Sequence, residues 1–376
     1  MKYILRQAGL TALSFAALYG IVLGLSFILF PDPPAASSLD TWAAGDTIYL
    51  SSPKDLMLQR YLLDTPERKV LLVGASNVGV GFREAQVQAH MNCAKVSSLA
   101  LGDENISELR QVVDLVHEVQ DSTVRRSDTW VFGVWYGDFV DTALRWPDPD
   151  RYRGDTDLDI ERYRYGFYRR TAAGPVPVLP VRWLPTAVLL IRPYLLLDKV
   201  ARDLVHALEQ RVHPETRNLT DAEREKVVMS ERDKRAALVY WHGAMGGKSQ
   251  ISADQVTILQ KLIEDLLDSG EKVVLVDLPI PAWHRDTSPY EAGYERRLNG
   301  VFAHFVGRPG FAALRMDDLS ADQDFSDEVH PRPQFAPIWA ARLDTVLDPL
   351  VCGGGAAVVA TGAQSATSPA AIVNSR

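Results

Sequence analysis

Cysteine is scarce in this chain: two occur in 376 residues, Cys93 and Cys352. Eight histidines are scattered rather than grouped with them, so no zinc-type Cys/His cluster forms. No metal and no cofactor are expected. The two cysteines lie far apart, and Cys352 falls in what reads as a tail. Both features argue against a disulfide, although an oxidising compartment would permit one. An excess of basic charge is also missing: 40 Lys and Arg face 48 Asp and Glu, a formal net charge of -8. Nucleic-acid binding needs a basic surface, so that class is set aside. Internal repeats are lacking, as is any glycine-rich loop of phosphate-cradling spacing. What is present is ordinary for a folded protein, with 47% hydrophobic and 23% charged residues.

One apolar run stands out. Lys2 and Arg6 precede an uncharged stretch from Gln7 to Phe30, about 24 residues, long enough to cross a bilayer as a helix. Pro31-Asp32-Pro33-Pro34 stops it. Positive charge on the short side predicts that this end stays cytoplasmic. The rest is then exported, to the periplasmic or extracytoplasmic side of the inner or plasma membrane. Signal peptides carry shorter apolar regions of roughly 7–15 residues. Ala35-Ala36-Ser37-Ser38 is a poor cleavage site, so an uncleaved anchor over residues 1–30 is favoured over a signal sequence. Residues 31–53 read as a spacer, and 351–376, with Gly353-Gly354-Gly355 and many Ala, Ser and Thr, as a disordered tail.

Between them, residues 54–350 read as one α/β domain. Asp55–Leu63 looks helical. Five apolar runs read as buried strands: Val70–Val73, Lys95–Leu99, Thr129–Trp135, Lys272–Asp277 and Ala312–Met316. Helical stripes lie between them, at Ile106, Leu109, Val112, Val113 and Val116, and again at Val256, Leu259, Leu262, Ile263 and Leu266. Gly270 ends the second helix, and Phe335–Val346 reads as a closing helix. This alternation predicts a parallel sheet covered on both faces, a three-layer α/β/α arrangement. It is interrupted at about 141–236 by an inserted helical and irregular segment rich in Arg, Tyr, Trp and Pro. Arg192-Pro193 splits the insertion's apolar stretch, so no second membrane span is expected there. A helix packed on the domain or lying on the membrane surface fits better.

Two short segments carry the chemistry. Gly74-Ala75-Ser76-Asn77 closes the first strand, and Asp327-Glu328-Val329-His330 comes near the end of the domain. A serine at a strand-to-helix turn sits at the carboxyl edge of the sheet, where open α/β sheets bind ligands. By itself this is a weak signal, since Ser caps helices well and the segment reads first as a simple helix cap. A histidine with an aspartate three residues before it has a partner to hold its tautomer and stabilise its charged form. By itself this pair reads first as a surface histidine beside acidic residues, which is common.

Together, in this order, the segments resemble the first and last signature blocks of the SGNH (GDSL-like) hydrolases. The resemblance spans about residues 66–347 and implies a flavodoxin-like α/β/α fold. It makes Ser76 the nucleophile, His330 the base and Asp327 its orienting carboxylate. Gly102, in Ser98-Leu99-Ala100-Leu101-Gly102, lies where the family places its glycine, so the Ser76 and Gly102 N–H groups are implied oxyanion-hole donors. One block departs. The family has Gly-x-Asn-Asp after the third strand; here the run is Gly133-Val134-Trp135-Tyr136-Gly137-Asp138. Tyr136 through its hydroxyl, or Asn77 or Asn105 turned inward, are the candidate replacements for the missing asparagine.

That departure, the anchor, and Val276–His284 with Tyr290 and Tyr294 resemble exported members that work beside membrane-bound O-acyltransferases. The implied activity is an esterase or O-acyltransferase acting on an acylated envelope or extracellular polysaccharide. The implied partners are that saccharide and a membrane-bound O-acyltransferase. A non-catalytic accessory protein binding saccharide or such a transferase is the alternative. His284 and His242 read as structural. The insertion reads, as a whole, as a lid or substrate wall, since aromatic faces stack on sugars and Arg grips carboxylate or phosphate.

Overall fold

Short apolar strands build the centre of the molecule, and their edges decide where chemistry can occur. In a computed structural model, the described residues are 2–29, 56–57, 60–141, 155–194, 197, 201, 204–205, 208, 211–213 and 221–353. The expected spacer and nearly all of the expected tail lie outside them. Helix α1 (Lys2–Leu29) is long and apolar enough to cross a membrane. Among the described residues it is the one helix that meets that test. Its apolar side chains, such as Phe15 and Ile21, are exposed rather than packed in the domain. The Tyr19 hydroxyl donates to the Leu190 carbonyl of the insertion.

The domain proceeds through β1 (Lys69–Val73), α2 (Ser76–Gly81), α3 (Glu84–His90), β2 (Lys95–Ser98), α4 (Ile106–His117) and β3 (Asp128–Val134). The insertion contributes the helix Asp157–Tyr165, an antiparallel hairpin of β4 (Tyr168–Thr171) and β5 (Gly174–Pro177), and α5 (Glu231–Ala244). The chain ends through α6 (Ala253–Asp268), β6 (Lys272–Asp277), α7 (Ala282–Thr287), α8 (Glu291–Phe305), β7 (Phe311–Arg315) and α9 (Ala336–Val351). The five central strands are all parallel, in the order β2-β1-β3-β6-β7. With helices flanking the sheet, the architecture is three-layer α/β/α.

Every residue of β1 and β3 is buried, which is why these strands read as unbroken apolar runs rather than alternating ones. The α4 stripe from Ile106 to Val116 and the α6 stripe from Val256 to Leu266 pack onto the same core. Each fully buried Val, Leu or Ile contributes about 1.5–3 kcal/mol. Helix α4 begins at Ile106 because Asn105 caps it: its side chain accepts the Glu108 N–H, and the Glu108 carboxylate accepts the Asn105 N–H.

Three expectations need correction. Strand β3 stops at Val134, not Trp135, because Trp135 turns out to start a short 3-10 turn, Tyr136–Asp138. The expected Asp55–Leu63 helix appears as helical Leu56 and Met57 and a 3-10 turn over Arg60–Leu63. Cys93 and Cys352 form a disulfide, with their Cα atoms 5.8 Å apart. Helix α9 runs on to Val351, five residues past the expected Val346, and carries Cys352 back to the chain leading into β2. Val351 and Cys352, which read as the start of the tail, are the end of a packed helix.

Candidate active site

The sheet order reverses beside β1: β2 lies on one side and β3 on the other. Ligands bind open α/β sheets at the carboxyl ends of the strands at such a point. Strand β1 leaves the sheet through Gly74-Ala75, and α2 starts at Ser76. Its N-cap is Ala75, which makes no side-chain capping bond, so the Ser76 hydroxyl is not spent on the helix. The turn is tight. A Cβ at Gly74 would fall 2.2 Å from Val78 Cγ2 and 2.7 Å from the Gly133 carbonyl oxygen. A Cβ at Gly133 would fall 2.5 Å from the same Val78 methyl. Two glycines on neighbouring strands therefore let α2 sit directly on the switch point.

The second half of the site is a short closed loop. Phe325 and Pro331 pair as an isolated antiparallel bridge. The Ser326 N–H donates to the His330 carbonyl at 2.9 Å, and the Arg332 N–H to the Asp324 carbonyl at 2.8 Å. Inside it, Asp327 Oδ1 accepts the Val329 N–H at 3.0 Å and the His330 N–H at 2.8 Å, the local turn that Asp favours.

The loop delivers His330 to Ser76. His330 Nε2 lies 2.8 Å from Ser76 Oγ. His330 Nδ1 lies 3.0 and 2.9 Å from the two carboxylate oxygens of Asp327. With an anionic Asp327, Nδ1 carries the proton and Nε2 is free to accept the serine hydroxyl. Burial works against charge on Asp327, but the His330 charge and hydrogen bond, with two backbone N–H donors, outweigh it and hold the carboxyl down to about 2. Burial likewise works against charge on His330; the Asp327 charge and hydrogen bond outweigh it and raise the imidazole above its usual 6.5. The three residues read from sequence as nucleophile, base and orienting acid stand in hydrogen-bonded series. The chemistry available to that series is proton removal from an alcohol as it attacks a carbonyl.

The residues named as oxyanion donors divide. Leu101 donates its N–H to the Gly74 carbonyl at 3.1 Å, which lays the segment before Gly102 against the Ser76 turn. Among the described residues, no carbonyl accepts the Ser76 or the Gly102 N–H. Tyr136 is placed differently. It is fully buried, and its hydroxyl is directed to His284 Nε2 at 2.5 Å rather than toward the serine. Asn105 is spent as the α4 cap and donates to the Val140 carbonyl at 3.2 Å. Asn77 accepts the Val78 N–H at 3.0 Å, while its buried Nδ2 has no partner among the described residues.

The two other histidines also separate. His242 is exposed and bonds the Tyr290 hydroxyl at 2.7 Å. His284 is completely buried. Its Nδ1–H donates to the Glu328 carbonyl at 2.8 Å, and its Nε2 accepts the Tyr136 hydroxyl. Burial holds this imidazole down to about 4, so it is neutral. His284 thus fastens the middle of the Asp327–His330 loop to the end of β3.

Ser76 and His330 open into a cavity of about 270 Å³. Its walls include residues not singled out in the sequence: Asp103 and Glu104 directly after Gly102, Tyr240 and Trp241 on α5, and Glu328 inside the loop. Their adjacency to Gly102 and His330 is the one sequence signal that points to Asp103, Glu104 and Glu328. Tyr240 and Trp241 lie just past the expected insertion boundary and carry no local motif. Trp135 is also in the wall, ring to ring with Trp241 at 4.5 Å. Among the described residues no group of three or more His, Cys, Asp or Glu is placed to hold a metal ion. No protein-family model and no curated protein matches the chain.

Proposed function

We propose that this chain is an exported, membrane-anchored serine enzyme of the SGNH type, an ester hydrolase or O-acyltransferase working on acyl groups of an envelope or extracellular polysaccharide. The observation that carries the proposal is the series Ser76 Oγ–His330 Nε2 at 2.8 Å with Asp327 at 2.9 Å on the other ring nitrogen. The resemblance of Gly74–Asn77 and Phe325–His330 to the family's end blocks supplies the reaction class. Ser76 Oγ attacks the ester carbonyl carbon while its proton passes to His330 Nε2. Asp327 stabilises the imidazolium, and the Ser76 and Gly102 N–H groups take the negative charge on the former carbonyl oxygen. Collapse expels the leaving alcohol, which takes the proton from His330, and leaves an acyl group on Ser76. Water or a sugar hydroxyl then gives its proton to His330 and attacks the acyl carbon, releasing Ser76. The first acceptor makes an esterase, the second a transferase.

The Cys93–Cys352 disulfide supports placing the domain outside the cytoplasm, since disulfides persist in oxidising compartments. Lys2 and Arg6 in the first two turns of α1 support a cytoplasmic N-terminus. The resemblance supports a membrane-bound O-acyltransferase as partner. A second reading, a non-catalytic accessory protein using the same cleft, is favoured by one observation: the Tyr136 hydroxyl is committed to His284, so that replacement for the family's third donor is absent from the serine's side.

Full-length protein in detergent, exposed to an uncharged fluorophosphonate, separates the two. Covalent labelling that vanishes in Ser76→Ala and in His330→Ala is the expected result for an enzyme. Absence of labelling in the folded wild type, together with no turnover of p-nitrophenyl acetate, overturns catalysis and leaves the accessory reading.

A further inference from the structure

The cavity beside Ser76 has a marked chemical bias. Carboxyl side chains line it on three sides: Asp103 and Glu104 follow the segment after β2, Asp138 follows β3, and Glu328 lies in the catalytic loop. Among the described residues no Lys or Arg lines it. Asp103 adopts a positive φ of 56°, a conformation that Asp tolerates better than most residues. Glu104 is 2% exposed and Glu328 half-buried, whereas Asp103 is exposed to solvent. The field is felt within the site. Burial first, then the negative charges of Asp327 and Asp103, raise the Glu328 carboxyl. Burial likewise pushes Asp138 well above the usual carboxylate range, and Asp138 accepts the Trp135 N–H at 3.0 Å. Aromatic rings complete the wall. Tyr240 is half exposed, and Trp241 and Trp135 are edge to face behind it.

Carboxyl groups beside aromatic faces suit hydroxyl and ammonium donors on a ring whose apolar face can stack. They oppose a substrate that brings its own carboxylate or phosphate. Each added negative charge meets like charge in a partly desolvated space, where screening is weak. A cavity near the low end of the roughly 300–1,000 Å³ typical of small-molecule sites suits one sugar unit with its acyl group.

We propose that the cavity selects an acyl ester carried by a neutral or amino sugar and excludes one carried by a uronate or phosphate-bearing chain. This inference rests on the reading that Ser76 is the nucleophile facing that cavity, and it narrows the polysaccharide substrate by charge.

The test uses the full chain in detergent as Ser76→Ala, so that binding is read without turnover. Three tetrasaccharides are titrated by calorimetry at low ionic strength: a neutral xylo-oligosaccharide, a glucosamine oligosaccharide and an oligo-uronate. The expected result is a dissociation constant for the neutral and amino sugars at least about tenfold below that of the uronate, as one like-charge contact at an effective dielectric near 20 implies. The double change Asp103→Asn with Glu328→Gln shrinks that gap to about threefold or less. Equal or tighter binding of the uronate, or no binding of any of the three, overturns the proposal. Fluorophosphonate labelling of the wild type is read in parallel. Labelling with the charge preference absent sinks the substrate inference alone. The preference without labelling sinks the enzyme and leaves a saccharide site.

Discussion

Two imidazoles flank the same four-residue turn and have opposite characters. His330 faces a carboxylate and a serine hydroxyl at the mouth of the cavity. His284, on α7, faces a backbone carbonyl and a phenol in a dry interior. The Asp327 charge raises the first above its usual value, while for the second burial outweighs the Glu328 carbonyl and the Asp327 charge and holds it down to about 4. The first ring is stabilised in its charged form by the Asp327 carboxylate; the other is held neutral, with one proton at Nδ1 directed to the Glu328 carbonyl. The difference shows that a histidine's protonation is set by what its ring nitrogens meet and how deeply it is buried.

The comparison breaks most sharply at the reactive end. Ser76→Ala or His330→Ala is expected to lower ester turnover by roughly 10⁴–10⁶-fold, with the circular dichroism spectrum unchanged. Equal activity in either variant removes the ring from the chemistry. Next comes Asp327→Asn, which keeps the size of the side chain but can accept Nδ1–H less well and favours the wrong tautomer. A fall of about 10⁴-fold in kcat is expected.

His284 sharpens the contrast, because its two nitrogens can be replaced separately. Asn at this position presents a donor where Nδ1–H stood, toward the Glu328 carbonyl; Gln reaches toward Tyr136 and abandons the loop. His284→Gln is expected to lose about 10²-fold in kcat with little change in KM, the cost of a small misplacement of the base. His284→Asn should recover most of it. Equal losses in the two variants would reduce His284 to core packing.

The pH profile is a smaller effect with a definite sign. In the proposed mechanism neutral His330 is the base, and its raised value then places the acidic limb of kcat/KM above pH 6.5, with rate rising as pH rises through it. In whatever activity Asp327→Asn retains, that limb moves to lower pH. A limb that stays in place would show that the carboxylate does not tune the ring. The smallest expected effect on catalysis is at the opposite edge of the sheet. Reduction of Cys93–Cys352 lowers the melting temperature, with about 2–4 kcal/mol of stability lost, and leaves kcat within about twofold.

Much of this architecture is legible in the amino-acid order. The five central strands read as apolar runs because β1, β3 and β6 are covered on both faces, and Asn105 and Ser252 mark helix starts by a local hydrogen bond each. The Asp327–His330 unit is legible for the same reason: its partners are three residues apart. What was not legible is long-range or context-dependent. Trp135 reads as strand because a bulky aromatic suits a buried strand, yet its N–H turns to Asp138. The β4–β5 hairpin lies in Arg-, Tyr- and Pro-rich sequence without clean alternation. Helices α7 and α8 were not singled out. Cys352 reads as tail because Pro349 and three glycines surround it.

The sequence alone thus determined the parallel layers, the apolar first helix, the serine at a strand exit and the Asp–His turn, since each is encoded by neighbours within a few residues. Only the tertiary structure decided that Ser76 meets His330 across 254 positions, that Tyr136 meets His284 across 148, and that Cys93 meets Cys352 across 259. Those meetings depend on the lateral order of the strands, which no local periodicity carries, because the same apolar runs can be stacked in many orders and only their joint packing selects one.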